Sequence, residues 1–228
     1  MLNLKHDVQI NLKNEKEVFR LIRLLIFTFI LSAALLGISD YIWNMTLYRI
    51  SVWVVPWLVA IPAIINCVER KVNLKELLGN HILFQVLVGA AIGTAMAVIW
   101  IFVYRWIYGR EQGIYVGTGK DILIAFFKYM FLVGLVEELI FRVGVMGQLQ
   151  VTLEKRTWLA PVVANTLFAL NHLFQKDWDT VFLAFAVGCV YTWTYYKWKK
   201  CRLVMVVVMH GMFDFVTLYA PVLWMKIF

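Results

Sequence analysis

The sequence predicts an all-α protein, a polytopic transmembrane bundle of about seven helices. Of its 228 residues, 62% are apolar and only 16% are charged, a balance outside the usual range for soluble domains. The apolar residues form long runs rather than stripes, as expected for helices that meet lipid or other helices on every side. Many of the Trp, Tyr and Phe residues lie near the ends of these runs, where aromatic side chains occupy the headgroup region of a bilayer.

Seven spans are predicted because ~20 apolar residues cross the hydrocarbon core. They lie near residues 24–42, 52–68, 82–108, 122–148, 158–174, 180–196 and 203–225. The third and fourth spans are longer than needed and are expected to tilt or to project beyond the bilayer. The first run follows a charged and polar segment and is interpreted as a retained helix rather than a cleaved signal. Since no repeat or linker divides the chain, we expect one membrane domain over residues 1–228.

The distribution of positive charge predicts the orientation of these spans. Fourteen of the 22 Lys and Arg residues fall on the side that holds the N-terminus, and six fall on the other. Cytoplasmic loops collect Lys and Arg, so residues 1–23 are expected to form a cytoplasmic N-terminal segment. The net charge of +8 does not indicate a nucleic-acid partner, because the basic residues punctuate apolar runs instead of forming one continuous face. The three cysteines have neither metal-site spacing nor a disulfide framework.

The fourth span carries an unusual charged cluster, Glu137-Glu138-Leu139-Ile140-Phe141-Arg142. Ionisable groups inside a membrane are rare and mark a function or a structural pair. Glu138 and Arg142 lie one helical turn apart on one face and are expected to pair. Glu137 is rotated by about 100° from Glu138. We therefore expect a structural role for Glu138 and an available carboxylate at Glu137.

Two later spans carry histidines. His172 follows Phe168 by one turn, and His210 precedes Asp214 by one turn on the same face. Each has an ordinary alternative interpretation, as a hydrogen-bonded packing residue at His172 and as a His–Asp pair that joins two helices at His210. What favours a functional site is the recurrence of such residues on three spans of the second half of the chain.

Taken in order, the three clusters match a family signature. They read EELIFR from Glu137 to Arg142, FALNH from Phe168 to His172, and HGMFD from His210 to Asp214. The sequence thus resembles the CPBP family of intramembrane proteases, also called the Abi family, which includes CAAX proteases and bacteriocin-processing enzymes. Its signature is EExxxR, FxxxH and HxxxN or HxxxD on successive helices. The resemblance covers a core at about residues 120–220.

The resemblance implies an endopeptidase that cleaves a membrane-associated peptide or protein, in a bacterial cytoplasmic membrane. Glu137 would activate a water molecule with help from His172, while His210 and Asp214 would hold the oxyanion. An ionised Asp214 can only accept hydrogen bonds, so we expect it to orient His210. His210 itself is expected to donate from either protonation state.

Other chemistries and functions use the same residues. Glu137, His172, His210 and Asp214 are all residue types that bind zinc, but the chain has no HExxH spacing, and the resemblance implies a mechanism without a cofactor. A second hypothesis is a bacteriocin-immunity or regulatory membrane protein that acts without cleavage. A third, a proton or ion transporter, is disfavoured because no internal repeat is present.

One estimate conflicts with a shared site. Straight spans, at ~1.5 Å per residue through a core of ~30 Å, place Glu137 and His210 at similar depth but His172 much nearer the outer face. Either residues 143–157 dip into the bundle or the spans are shifted by a turn or two.

Overall fold

The computed structural model describes residues 15–40, 45–109, 118–174, 178–198 and 202–227. Of these residues, 92% are helical and none forms a strand element, which confirms the all-α class. The helices are α1 (Glu15–Asp40), α2 (Met45–Glu69), α3 (Leu74–Leu78), α4 (Ile82–Tyr108), α5 (Gly119–Lys128), α6 (Leu135–Glu138), α7 (Gly147–Thr152), α8 (Leu159–Asn171), α9 (Trp178–Lys197) and α10 (Leu203–Ile227). Residues 1–14 of the predicted N-terminal segment, residues 41 and 42 of the first predicted span, and Cys201 lie outside the described residues.

The fourth predicted span is a composite helix that runs without a break from residue 119 to residue 152. Two π-helical segments, Tyr129–Gly134 and Leu139–Met146, separate α5, α6 and α7 within it. π-Helical turns are rare and are found often at functional sites. The four residues of α6, which include Glu137 and Glu138, lie between the two π-helical segments.

Seven long helical segments match the seven predicted runs, but seven spans are not confirmed. Within the described residues, two helical stretches are long and apolar enough to cross a membrane by length and composition, Ser51–Glu69 and Ile82–Tyr108. Leu159–Asn171 is a shorter apolar helix, and residues 203–218 of the 25-residue α10 are also apolar. The composite helix continues through its π-helical segments and carries the charged cluster, so it is less uniformly apolar than these stretches.

The bundle has an apolar outer surface and a partly polar interior. Large side chains such as Leu83, Trp106 and Phe182 are 72%, 85% and 68% exposed. Glu138 and Arg142, by contrast, are completely buried. Exposed apolar surface on this scale marks a site of contact with lipid or protein, and a helical bundle in lipid has this arrangement.

Glycines bring α10 close to the helices that face it. A Cβ atom on Gly93 of α4 would collide with the carbonyl oxygen of Met209, and one on Gly134 would lie 2.9 Å from the carbonyl oxygen of Val207. Small residues permit this close backbone approach between helices. Through these contacts, the segment of α10 around His210 packs closely between α4 and the composite helix.

A polar cluster joins α1, α2 and the composite helix at one end of the bundle. Asn66 donates to the Oε1 atom of the buried Gln148 at 2.8 Å. Gln148 in turn donates to the carboxylate and the backbone carbonyl of Glu17 at 3.0 and 3.1 Å. Arg70 donates to Asn66 and to the carbonyl oxygen of Val143. These bonds fix α1 and α2 against the helix that carries Glu137.

Candidate active site

The predicted pair of Glu138 and Arg142 is present and fully buried. The Arg142 Nε atom lies 3.1 Å from the Glu138 Oε2 atom, and both side chains are 0% exposed. Arg142 Nη2 also donates to the carbonyl oxygen of Gly188 in α9 at 3.3 Å. Burying two charges costs free energy, which their attraction and additional hydrogen bonds must offset. Arg142 is thereby fixed by two elements of the fold.

Glu138 has a second partner that the sequence did not indicate. Its Oε1 atom lies 2.8 Å from the Nδ1 atom of His210, 72 residues further along the chain. Glu138 is ionised when it pairs with Arg142, and an ionised carboxylate only accepts hydrogen bonds. The Nδ1–H group of His210 is therefore the donor in this bond. Glu138 therefore orients His210, a task that the sequence analysis had assigned to Asp214.

The other nitrogen of His210 faces two carboxylates. The Nε2 atom lies 3.5 Å from the Asp214 Oδ2 atom and 3.8 Å from the Glu137 Oε2 atom. Because Nδ1 carries the proton donated to Glu138, Nε2 carries one only when the ring is doubly protonated. With Nδ1–H donated to Glu138, donation from Nε2 to an oxyanion requires the imidazolium, a narrower condition than the sequence-based expectation of donation from either protonation state.

His172 lies at the point where α8 ends and a short 3₁₀ turn, His172–Phe174, begins. Its Nδ1 atom is 3.0 Å from the carbonyl oxygen of Phe168. A carbonyl can only accept, so Nδ1 carries the proton and Nε2 of the neutral ring is an acceptor. An imidazole with a free acceptor nitrogen can orient a water molecule or accept its proton.

The short α8 explains how His172 reaches the interior. The helix has 13 residues and is therefore about 20 Å long, shorter than a hydrocarbon core of about 30 Å. The composite helix continues to Thr152, and residues 143–146 within it are buried. The fifth predicted span, residues 158–174, thus contains a helix too short to cross the hydrocarbon core.

Two aromatic residues hold the charged groups in place. The Arg142 guanidinium lies 4.3 Å from the centroid of the Phe168 ring. Tyr191 of α9 stacks on His210 with ring centroids 5.0 Å apart. Nothing in the sequence indicates a role for Tyr191, because an uncharged aromatic residue in an apolar helix carries no signal of its own. Phe168 was part of the motif, and its role is visible only in the fold.

The four candidate catalytic residues line one cavity of about 350 Å³. This space, the histidine cavity, is bounded by Glu137, His172, His210 and Asp214, together with Lys128 and residues of α9. The Glu137 side chain is 26% exposed, whereas that of Glu138 is 0% exposed. The two adjacent glutamates therefore differ in surroundings as the helical geometry predicted, with Glu137 at the cavity and Glu138 in the core.

Among the residues that the structure describes, no three His, Cys, Asp or Glu side chains form a group that could hold a metal ion. Cys67 and Cys189 are both free thiols.

The fold and the site together define an all-α protein with a centre of paired carboxylates and histidines inside an apolar helical bundle. Residues 119–216 match the family model described as type II CAAX prenyl endopeptidase Rce1-like. These residues form an Rce1-like domain, and the chain is consistent with a CPBP-family membrane protease, as the three motifs had indicated. Proteins of the Rce1-like family are integral membrane proteases, and the match covers 98 of the 228 residues of this chain. No curated protein and no solved structure matches the chain.

Proposed function

We propose that the protein is an intramembrane endopeptidase that hydrolyses a peptide bond of a membrane-associated peptide or protein, with Glu137 as the general base. The observation that supports this most directly is the lining of the histidine cavity, where Glu137, His172, His210 and Asp214 face a common space. Glu137 is the partly exposed member of the glutamate pair, so its carboxylate is accessible to a water molecule.

In the proposed reaction, the water oxygen bonds to the scissile carbonyl carbon while Glu137 takes one water proton. His172 accepts a hydrogen bond from the same water through Nε2. Doubly protonated His210 donates from Nε2 to the oxyanion. As the carbon–nitrogen bond breaks, Glu137 returns its proton to the departing amine, which leaves a carboxyl end and an amino end. The proposed steps use only side chains of this protein.

The proposed function includes its setting. In this proposal the bundle has seven spans and lies in a bacterial cytoplasmic membrane, with its N-terminus in the cytoplasm. The chain is one membrane domain, and residues 120–220 form its catalytic core. The exposed apolar belt supports a lipid environment. Glu138 and Arg142 act as structural support in this proposal.

The test compares peptides from cells that carry the wild-type protein, Glu137→Ala or the exposed control Glu76→Gln. We expect mass spectrometry of membrane and secreted fractions to find at least one peptide that is cut by the wild type and the control but not by Glu137→Ala. Equal peptide profiles, with a cellular phenotype retained by folded Glu137→Ala, would overturn the proposal in favour of an immunity or regulatory protein that acts without cleavage.

A further inference from the structure

A second cavity, of about 340 Å³, lies on the α1–α2 side of the composite helix. Its lining includes Thr28, Ser32, Ser51, Pro56, Glu137 and Asn171. We call it the hydroxyl cavity. Glu137 lines this cavity as well as the histidine cavity. The candidate base therefore stands at the boundary between two separate spaces.

The walls of the hydroxyl cavity carry buried polar atoms that the protein does not satisfy. Thr28 Oγ1 and Asn171 Oδ1 are buried and, among the described residues, have no hydrogen-bond partner. Such atoms carry a desolvation penalty unless water bonds to them. The Thr28 hydroxyl can donate to water or accept from it, and the Asn171 oxygen can accept.

The backbone adds a further acceptor. Pro56 lies inside α2 and has no N–H group to donate to the carbonyl of Val52 one turn earlier. Both residues line the hydroxyl cavity. A helix in lipid tolerates an unpaired carbonyl where it faces protein or a water-filled space.

The size of the hydroxyl cavity also fits water. At about 30 Å³ per molecule of liquid water, it has room for several molecules. We infer that the hydroxyl cavity is a water compartment that supplies the hydrolytic water to Glu137, while the peptide occupies the histidine cavity.

This inference rests on the proposed function for the identity of the reaction, but not for the presence of water. It gives α1 and α2 a part in the site, since Thr28, Ser32 and Ser51 lie outside the matched residues 119–216. Thr28 and Ser32 are spaced by four residues, so both project from one face of α1. They position water and are not themselves catalytic residues.

Thiol labelling tests the water compartment without any substrate. Ser32→Cys and Ile30→Cys are made in a background in which Cys67, Cys189 and Cys201 are replaced by Ala. Ile30 lies two residues away at nearly the same depth and is 59% exposed, whereas Ser32 is 3% exposed. A small water-soluble methanethiosulfonate reagent reacts with the thiolate, which forms only where water reaches the sulfur. We expect membrane-embedded Ser32→Cys to react at least tenfold faster than lipid-facing Ile30→Cys. Equal rates would overturn the inference.

Kinetics tests the role of that water. Removing the hydroxyl groups in Thr28→Val/Ser32→Ala should lower kcat about tenfold to 100-fold, because small displacements of a reacting group have effects of this size. KM should remain unchanged. Thr166→Val is the matched control, since Thr166 is exposed on α8 and bonds only to its own helix, at Val162. An unchanged kcat in the double variant, or a change confined to KM, would show that the water comes from elsewhere. A wild type that hydrolyses no peptide would refute the proposed function and leave the labelling result to decide the compartment.

Discussion

Glu137 and Glu138 are neighbours in the chain but have different surroundings. Glu138 is enclosed by Arg142 on one side and His210 on the other. Glu137 faces two cavities and lies 3.8 Å from His210. The Glu138 carboxylate therefore stabilises the fold, while the Glu137 carboxylate is available to react.

Substitutions should separate these two tasks. Glu137→Gln keeps the shape of the side chain but removes the base, so we expect peptide hydrolysis to fall by a factor of about 100 to 10,000 with little loss of folded protein. Arg142→Ala leaves Glu138 buried without its cation, which costs about 3–5 kcal/mol. The measurements are peptide hydrolysis and thermal unfolding in detergent. Equal loss of folded protein in both variants would refute this division.

Asp214 offers a second test at the same scale. Because Glu138 already holds Nδ1 of His210, Asp214 acts only on the Nε2 side of the ring. If it orients this side as an acceptor, Asp214→Asn should impair hydrolysis, since an amide oxygen is a weaker acceptor than a carboxylate. Activity is compared with wild type at matched membrane expression. A fully active Asp214→Asn protein would indicate that the residue donates to the oxyanion instead.

The sequence predicted contacts within one helix but not contacts between helices. Spacing by one turn was sufficient to pair Glu138 with Arg142. The bond between Glu138 and His210 joins residues 72 positions apart, and no periodicity specifies which faces of two helices meet. The hydroxyl cavity was missed for the same reason, although the spacing of Thr28 and Ser32 was available as a signal on α1.

At the scale of the elements, close contacts of α10 depend on the absence of side chains at particular glycines. Gly93 of α4 lies against the backbone of Met209, the residue before His210. Any side chain at Gly93 would push α10 away and move His210 from Glu138. The geometry of the site therefore depends on Gly93, a residue without a side chain.

A matched pair of identical substitutions tests this dependence. Gly93→Ala should lower the melting temperature and the activity together, because overpacking costs about 1–3 kcal/mol and displaces His210. Gly119→Ala should be neutral or slightly stabilising, since a Cβ atom there meets nothing within 4 Å and Ala favours the helix. Both proteins are compared by thermal unfolding and by peptide hydrolysis. A Gly93→Ala protein as stable and active as Gly119→Ala would show that α10 is not held this way.

The helix limits were largely predictable and the interruptions were not. Long apolar runs placed both ends of α4, α9 and α10 within two residues, whereas α1 and α2 begin nine and seven residues before the predicted spans. The π-helical segments within residues 119–152 and the shortness of α8 arise from tertiary packing, which apolarity does not encode. Glu137 and Glu138 lie between the two π-helical segments, and His172 follows the last residue of α8.

At the scale of the whole molecule, charge predicts an orientation that can be measured. With seven spans, the N-terminus should lie in the cytoplasm and the C-terminus outside. Fusions of a reporter that fluoresces only in the cytoplasm, made at each terminus in turn, should give signal at the N-terminus alone. Signal at both termini would require an even number of spans and would contradict the assignment.

The polar cluster that joins α1 to the composite helix makes a prediction about pH. The hydrogen bond from Gln148 lowers the pKa of Glu17 below its ordinary value of 4.5, and Arg20 acts in the same direction. The resulting stability is present above that ordinary value and is lost as the pH falls through the lowered pKa. Thermal unfolding between about pH 5 and pH 3 should therefore show a steeper loss for the wild type than for Gln148→Met. Parallel curves would show that the contact does not contribute.

The packing of α10 between α4 and the composite helix also has a consequence for biosynthesis. His210 and Asp214 lie on the last of the described helices to leave the ribosome, whereas Glu137, Glu138 and His172 are synthesised earlier. During translation, Glu138 has Arg142 as a partner from its own helix, so its charge is paired before α10 arrives. In the nascent chain the charge of Glu138 is thus neutralised, but the site still lacks His210 and Asp214. In the proposed reaction, hydrolysis would then require α10 to insert against α4 and bring His210 to Glu138.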